Sequence, residues 1–396
     1  MAISPEKAIV AAGFPAYLHG FSAIDSYLGR NSANAVHVLC GADLADLARL
    51  FEGIRYPGAA FADAAVDAGG RTWYFRCEEA DSPSQACCAL EYLRPRRHSF
   101  SFLEFYQDCK TSRFYDPIGI HPMLRNIGDI AQWWKTINFF VDPCCALFDA
   151  AVILARYFPE TATREINLIA AELHGLDKTG PNKPPPPPME EQRLLLTMLL
   201  AAANPAPGFE LLKKCGFIAA HWPELAVLDD VDHSKEFHPE GNVWKHTLET
   251  LRYRKSPNAS FDLRLSLGLL LHDVGKPLSE SSGHHRFDGH AELGERQARR
   301  FLQRLGFEAP LAHDVCYLVR NHMLPAALPR LPLIRTGEVM ASPLFPTLLE
   351  LYRCDESSSF KGLDGYYRSS AAYQSFLKNR RNPYRSADGK KLRRAW

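Results

Sequence analysis

Residues Leu265–Lys276 read LSLGLLLHDVGK, an apolar helical run that ends abruptly in His272-Asp273 and is followed by Gly275 and Lys276. Leu265, Leu269 and His272 recur at i, i+4 and i+7, which places the imidazole on the helix face turned toward the core. A helix this apolar is expected to be buried. A buried carboxylate beside an imidazole costs free energy unless it is paired or bound to a cation. Neutral imidazole and ionised carboxylate together suit a divalent transition metal without selecting one. Alone, a His-Asp pair is weak. Its meaning depends on what else in the chain converges on it.

Four further residues qualify. Val315, Leu318, Val319 and His322 share the i, i+3, i+4, i+7 spacing, so His322 is expected on the buried face of its helix. Leu348, Leu351, Tyr352 and Asp355 repeat that spacing and turn Asp355 inward. His246 follows Val243-Trp244 near the start of another helix, on a less regular stripe. His290 follows Gly289 at the start of a helix over 291–305. Singly, each is explained by a hydrogen-bonded core histidine or a capping aspartate. Together, four histidines and two aspartates on the inner faces of five helices point to one site.

The order H…HD…H…H…D resembles the HD-domain superfamily of metal-dependent phosphohydrolases. The resemblance implies His246, His272, Asp273 and Asp355 as primary metal ligands, with His290 and His322 completing a second position. It also implies one or two divalent ions, of Mn, Ni, Co, Fe or Mg. Such ions clamp a phosphoryl group and bring the pKa of a bound water toward neutrality. Asp273 and Lys276 are the candidate catalytic residues, Asp273 to bridge metals and orient water, Lys276 to neutralise a phosphate oxygen. His284-His285, in a Gly/Ser-rich loop, are either substrate contacts or ordinary loop residues.

Longer segments narrow the match. HPEGNVWKHTLETL (238–251), LLLHDVGKP (269–277), HRFDGHAELGERQARRFLQRLGF (285–307) and LVRNHM (318–323) resemble the bacterial tRNA nucleotidyltransferases and poly(A) polymerases that carry an HD domain. LKKCGFIAAHWPELAVL (212–228) lies upstream in the same pattern. At the front, PAYLHGFSAIDSYLGR (15–30) stands where that family has a phosphate-binding Gly-Gly turn and an Arg-Asp. YDPIGI (115–120) stands at its Asp-Pro-Phe-Gly segment, and VDPCCALFDAA (141–151) at its acidic neck helix.

The front departs from the family where transfer chemistry is done. Nucleotidyl transfer there needs two aspartates, one residue apart on a strand, to hold magnesium, which favours oxygen ligands. The equivalent strand here is AVHVL, with Ala35 and His37 at those places. The paired glycines are Gly20-Phe21, and a phenylalanine obstructs close approach of phosphate to backbone. Asp25 is present, but Ile24 precedes it. The base-reading Arg-Arg-Asp is Arg96-Arg97-His98, and Cys145 replaces a neck arginine. These departures predict a nucleotidyltransferase fold without transferase activity.

The whole is expected to be α+β: a mixed sheet-and-helix nucleotidyltransferase-like head (1–130), an all-helical neck (131–230), an all-helical HD domain (231–375) and a basic tail (376–396). In the head, helices are expected over 5–12, 23–28 and 44–51, and strands in PAYLHGF and over 35–39, 71–76 and 99–106. KPPPPP (183–188) reads as a stiff connector rather than a ligand for partner modules. The chain has 396 residues, a formal charge of +1 and ten cysteines without metal-finger or redox spacing. Neither a broadly basic nucleic-acid binder nor a disulfide scaffold fits. With no apolar run of spanning length and no signal-peptide core, no membrane partner is expected, and a cytoplasmic location is. The expected substrate is a phosphoester of a nucleotide, a cyclic phosphodiester or an RNA end. Contact with tRNA or RNA is the alternative reading of the basic segments Arg94–Arg97 and the tail, the tail reading first as a solvated end. Two other readings stand beside it. One is a working RNA nucleotidyltransferase using displaced carboxylates such as Asp43, Asp46, Glu78 or Glu79. The other is a non-catalytic RNA-binding or regulatory protein with a structural metal.

Overall fold

The computed structural model describes residues 3–30, 35–56, 62–77, 101–117, 119–127, 129–137, 143–176, 186–232, 241–254, 261–281, 287–359, 362–382, 386 and 390. Glu78, Glu79, Arg94–His98, His284-His285 and most of the tail lie outside them, as does the side chain of Cys145. Contacts divide the chain into two units. The first comprises Met1–Ala203, Pro207–Cys215 and Lys255–Phe261, and the second Asn204–Ala206, Gly216–Arg254 and Asp262–Trp396.

The first unit is built on a six-stranded mixed sheet of order β3-β4-β2-β1-β5-β6. The strands are β1 (Ala16–His19), β2 (Ala35–Cys40), β3 (Ala64–Ala68), β4 (Arg71–Cys77), β5 (Tyr106–Asp108) and β6 (Phe114–Tyr115). β2 runs parallel to β4, and the other pairs are antiparallel. Alternation along β2 and β4 explains the layering. Val36, Val38 and Cys40 sit opposite Trp73, Phe75 and Cys77. That face packs on Ile9 of α1 (Pro5–Ala11) and Leu47 of α3 (Leu44–Leu50). The other face carries Ala35, His37 and Leu39 opposite Thr72, Tyr74 and Arg76.

The strand expected over 99–106 is corrected by the structure. Residues Ser101–Glu104 form a 3-10 turn and β5 begins at Tyr106. The aromatic density there serves packing rather than strand alternation, with Phe102 and Phe105 both buried. β3 escaped the sequence reading because its alanines have low strand propensity, and β6 because it is two residues long.

α2 (Phe21–Tyr27), α4 (His121–Arg125) and α5 (Ile130–Ile137) follow in chain order among the helices of this unit. α6 (Pro143–Tyr157), α7 (Thr163–Leu176), α8 (Met189–Ala201) and α9 (Ala206–Lys214) come next. Pro188 is extended, at φ −52° and ψ 150°, and leads directly into α8. The helices of the expected neck are shared between the two units.

Among its described residues the second unit is built of helices, with one isolated bridge between Asp232 and Asn242. Its helices are α10 (Phe217–His221), α11 (Pro223–Ala226), α12 (Val243–Arg252), α13 (Leu263–Leu271), α14 (Lys276–Ser281) and α15 (His290–Arg304). They continue with α16 (Ala309–Asn321), α17 (Leu324–Ala327), α18 (Leu333–Ala341), α19 (Phe345–Ser357) and α20 (Asp364–Arg380). The composition read the tail as starting at 376, but α20 continues to Arg380 and buries Phe376. No described helix is long and apolar enough to cross a membrane.

Two glycines let the neighbours of α13 close on it. A Cβ on Gly268 would meet Leu318 Cδ1 at 3.0 Å and Leu351 Cδ1 at 3.1 Å, so α16 and α19 pack directly over it. At Gly275, after the helix, a Cβ would lie 2.0 Å from the His290 carbonyl oxygen and 2.4 Å from the Gly294 nitrogen. No side chain fits there, because backbone occupies the space. Gly275→Ala is therefore expected to lower stability by about 1–3 kcal/mol or more, the usual cost of overpacking. Chemical denaturation of both proteins checks this. An unchanged midpoint would show that the close approach is not required.

Candidate metal centre

Each helix end that delivers a candidate ligand is fixed locally. Asn242 caps α12, its side-chain oxygen accepting from the Lys245 N–H at 3.0 Å, which sets the helix carrying His246. Asp262 caps α13 by accepting from the Arg264 and Leu265 N–H groups. α13 then ends by placing His272 and Asp273 in a buried turn, at 1% and 2% exposure. Gly289, at φ +76°, starts α15 with His290 as its first residue. His322 follows the last turn of α16, and Asp355 sits in the last turn of α19.

The structure brings all six together in two touching groups. His246, His272 and Asp355 form one, and Asp273, His290 and His322 the other. Within each group the potential ligand atoms lie within 4.8 Å of one another. Asp273 faces both. Its Oδ1 is 3.6 Å from His290 Nε2 and 3.7 Å from His322 Nε2, and its Oδ2 is 3.2 Å from His272 Nε2 and 3.8 Å from His246 Nε2. Asp355 Oδ1 is 3.0 Å from His246 Nε2, and its side chain is 25% exposed, the most open of the six.

Three histidines are held in the same way. The Nδ1 atoms of His272, His290 and His322 lie 2.7 Å from the carbonyls of Leu269, Phe287 and Val319, each three residues earlier. A carbonyl only accepts, so each Nδ1 carries the proton and each Nε2 presents a lone pair to the site. Burial lowers the pKa of His290 and brings His322 down to about 4, against the pull of Asp273. Both rings are thus neutral near pH 7. For Asp273, burial favours the neutral acid, but His272, Lys276 and His246 outweigh it and hold the carboxyl well below its usual range.

This donor set fits a cation on two observations. His272 Nε2 is buried with no hydrogen-bond partner. His290 Nε2 and His322 Nε2 lie 3.0 Å apart, two lone pairs facing each other once both Nδ1 protons are committed to carbonyls. Only a cation or an added proton relieves that contact, and burial disfavours the proton. Lys276 is placed against Asp273, with Nζ donating to Oδ2 at 2.6 Å, and its ammonium lies over the Phe287 ring.

Residues the sequence reading missed support the ligands. Phe287 adopts φ +61°, unusual for a side-chain-bearing residue, and its carbonyl anchors His290. Ser358 Oγ lies 3.3 Å from His246 Nδ1. No local pattern marks either one.

In the first unit the positions at which the sequence departs from the pattern it resembles are occupied by packed or paired side chains. His37 stacks on Tyr74 at 5.2 Å and 18°, and its backbone N–H donates to Ser22 Oγ at 2.8 Å. Phe21 stacks on Phe102 at 4.2 Å, with the Arg156 guanidinium over its ring at 4.7 Å. Arg156 and the Tyr157 hydroxyl both donate to Asp25. The Asp43 side chain caps α3 by accepting from the Asp46 N–H at 2.7 Å, and Asp46 pairs with Arg49. Asp116 accepts from the Ile120 and His121 N–H groups just before and at the start of α4.

Comparison with known proteins matches residues 243–344 to the HD domain family. A multifunctional CCA protein of Halorhodospira halophila is 40% identical over 121 residues, 30% of this chain and 28% of that protein. A CC-adding tRNA nucleotidyltransferase of Thermus thermophilus is 37% identical over 122 residues, 29% of this chain and 27% of that protein. The match thus spans under a third of either relative. Among solved structures, the Bacillus stearothermophilus CCA-adding enzyme in complex with CTP has a TM-score of 0.42 and 14% identity, over 95% of this chain and 84% of that one.

Enclosure first, then the cations Arg156 and Arg76, brings the His37 pKa down to about 4. The unfolded chain takes up that proton near the ordinary value of about 6.5. His37 therefore draws stability out of the fold as pH falls from about 6.5 toward 4, and contributes nothing above that window. In His37→Phe, which keeps the stack on Tyr74, stability measured by denaturant titration should fall less over that range than in the parent. Equal slopes would contradict the assignment.

Proposed function

We propose that this chain, an HD-domain protein related to the CCA-adding tRNA nucleotidyltransferases, is a metal-dependent phosphohydrolase of nucleotide or RNA phosphoesters. The reading rests on one observation: six ligating side chains carried by five helices or helix ends converge in two adjoining groups. His246, His272, Asp273 and Asp355 would hold one divalent ion, and His290 and His322, sharing Asp273, a second. A bound divalent cation supplies Lewis acidity toward a phosphoryl oxygen and a water.

The chain's own groups do the rest. The three anchored imidazoles keep fixed tautomers, so their rings need no reorientation when substrate binds. Asp273, ionised at neutral pH, presents one oxygen to each ligand group and can accept a hydrogen bond from a nucleophilic water. Lys276, whose ammonium is bonded to Asp273, is poised to transfer that hydrogen bond to a phosphate oxygen. Asp355 sits at the open edge, where solvent and substrate enter.

The relatives' names favour a second reading, nucleotidyl transfer to tRNA. Against it stand Ala35 and His37, which offer no paired carboxylates, and Phe21, which packs where a glycine turn is needed. Asp43 and Asp46, the described substitutes, are engaged in capping α3.

Purified protein supplied with Mn, Ni, Co or Mg should hydrolyse at least one of a 2′,3′-cyclic nucleotide, a nucleoside phosphate and bis-p-nitrophenyl phosphate. Asp273→Asn and His272→Ala should each lose at least about 100-fold, beyond the 10–100-fold typical of outer partners. Unchanged rates in both variants would remove the hydrolase reading. Incorporation of labelled CTP or ATP into tRNA lacking its 3′ end would establish the second one.

A further inference from the structure

Two cysteines that are distant in sequence meet on the first unit's sheet. Cys40 ends β2 and Cys77 ends β4, and they are direct partners in the parallel register. Directly paired residues of neighbouring strands project to the same face. Here that is the face of the Val36–Trp73 and Val38–Phe75 pairs, and Cys77 packs against the same cluster that contains Cys40. Neighbouring strands run about 4.8 Å apart. That spacing falls inside the roughly 4.4–6.8 Å separation of Cα atoms that a disulfide spans.

The two thiols differ in access and in character. Cys40 is fully buried, whereas Cys77 is partly exposed, and both are free. Contact between the two sulfurs is the largest influence on each. The Cys40 S–H has the Ala42 carbonyl as acceptor at 3.7 Å, and the neighbouring sulfur draws the Cys77 pKa down, while that contact and burial push Cys40 up. Cys77 is therefore the better nucleophile and the one an oxidant reaches. Asp63 Oδ2 accepts from the Cys77 backbone N–H at 2.8 Å and pins the strand end.

We infer that Cys40 and Cys77 form a reversible modification site, a dithiol that a hydroperoxide oxidises to a disulfide linking β2 to β4. The Cys77 sulfur attacks the outer peroxide oxygen, the O–O bond breaks, and the leaving alkoxide or hydroxide takes up a proton. Cys77 is then a sulfenic acid. The Cys40 sulfur attacks it, the S–O bond breaks as the S–S bond forms, and the Cys40 proton leaves with the hydroxide as water. In sum, two thiols give up two electrons and two protons, and the hydroperoxide is reduced to an alcohol, or water, plus water. The bond closes the chain between residues 40 and 77 and restrains the unfolded state, so the oxidised protein should melt higher.

The full chain, treated with a few equivalents of hydrogen peroxide and then alkylated, tests this by peptide mass spectrometry. A Cys40–Cys77 linked peptide is expected, with a raised thermal midpoint, both reversed by dithiothreitol. Cys40→Ser should instead accumulate a sulfenic acid at Cys77 that dimedone traps. Cys77→Ser should leave Cys40 reduced. The proposal fails if the wild type shows no such linkage, or if Cys77 proceeds to the sulfinic acid with Cys40 intact. It also fails if Cys40 is oxidised equally in Cys77→Ser.

Discussion

The Asp273 carboxylate is the constraint around which the second unit is arranged. It is almost wholly buried, ionised, and faces four imidazoles and one ammonium. An anion so placed is tolerable only if every neighbour stays where it is, since its Coulomb energy in a low-dielectric interior is large and unshared with water. The neighbours come from α12, the turn after α13, α14, α15 and α16. Fixing one carboxylate thus fixes the mutual arrangement of most of the unit. Asp355, on α19, joins through His246.

Backbone geometry makes that arrangement possible. Gly275 lets the turn carrying Asp273 lie against the start of α15, and Gly268 admits α16 and α19 onto α13. The imidazoles are then oriented by carbonyls from their own helix ends rather than by distant partners, so ligand direction follows from local structure. Burial keeps His290 and His322 neutral, which turns their unprotonated nitrogens toward one another. In the first unit, aromatic and imidazole rings pack at the positions where the sequence departs from the pattern it resembles. Phe21, Phe102, Tyr74 and His37 stack there, and Arg156 is engaged by Asp25 and Tyr157.

Much of this was legible in the residues themselves. The spacing of Val315, Leu318, Val319 and His322 predicted a buried imidazole, and the structure buries all four. The α+β organisation, with the strands among the described residues all in the first unit, followed from strand-like runs such as AVHVL and from helical spacing later in the chain. What local patterns could not supply were relations between distant segments. The Cys40–Cys77 juxtaposition depends on a parallel register, which no spacing rule reveals. The role of Gly275 depends on where α15 passes. Phe287 takes a backbone conformation that its residue type disfavours, so propensity pointed away from it. The segment 99–106 misled because aromatic residues that fill a core resemble those of a strand.

Anomalous diffraction from crystals of the protein grown with manganese tests the central claim most directly. The account predicts a peak about 2.0–2.3 Å from His246 Nε2, His272 Nε2 and oxygens of Asp273 and Asp355, with Lys276 displaced from Asp273. Ordered side chains in the same positions, with no anomalous peak among them and Lys276 still bound to Asp273, would contradict it.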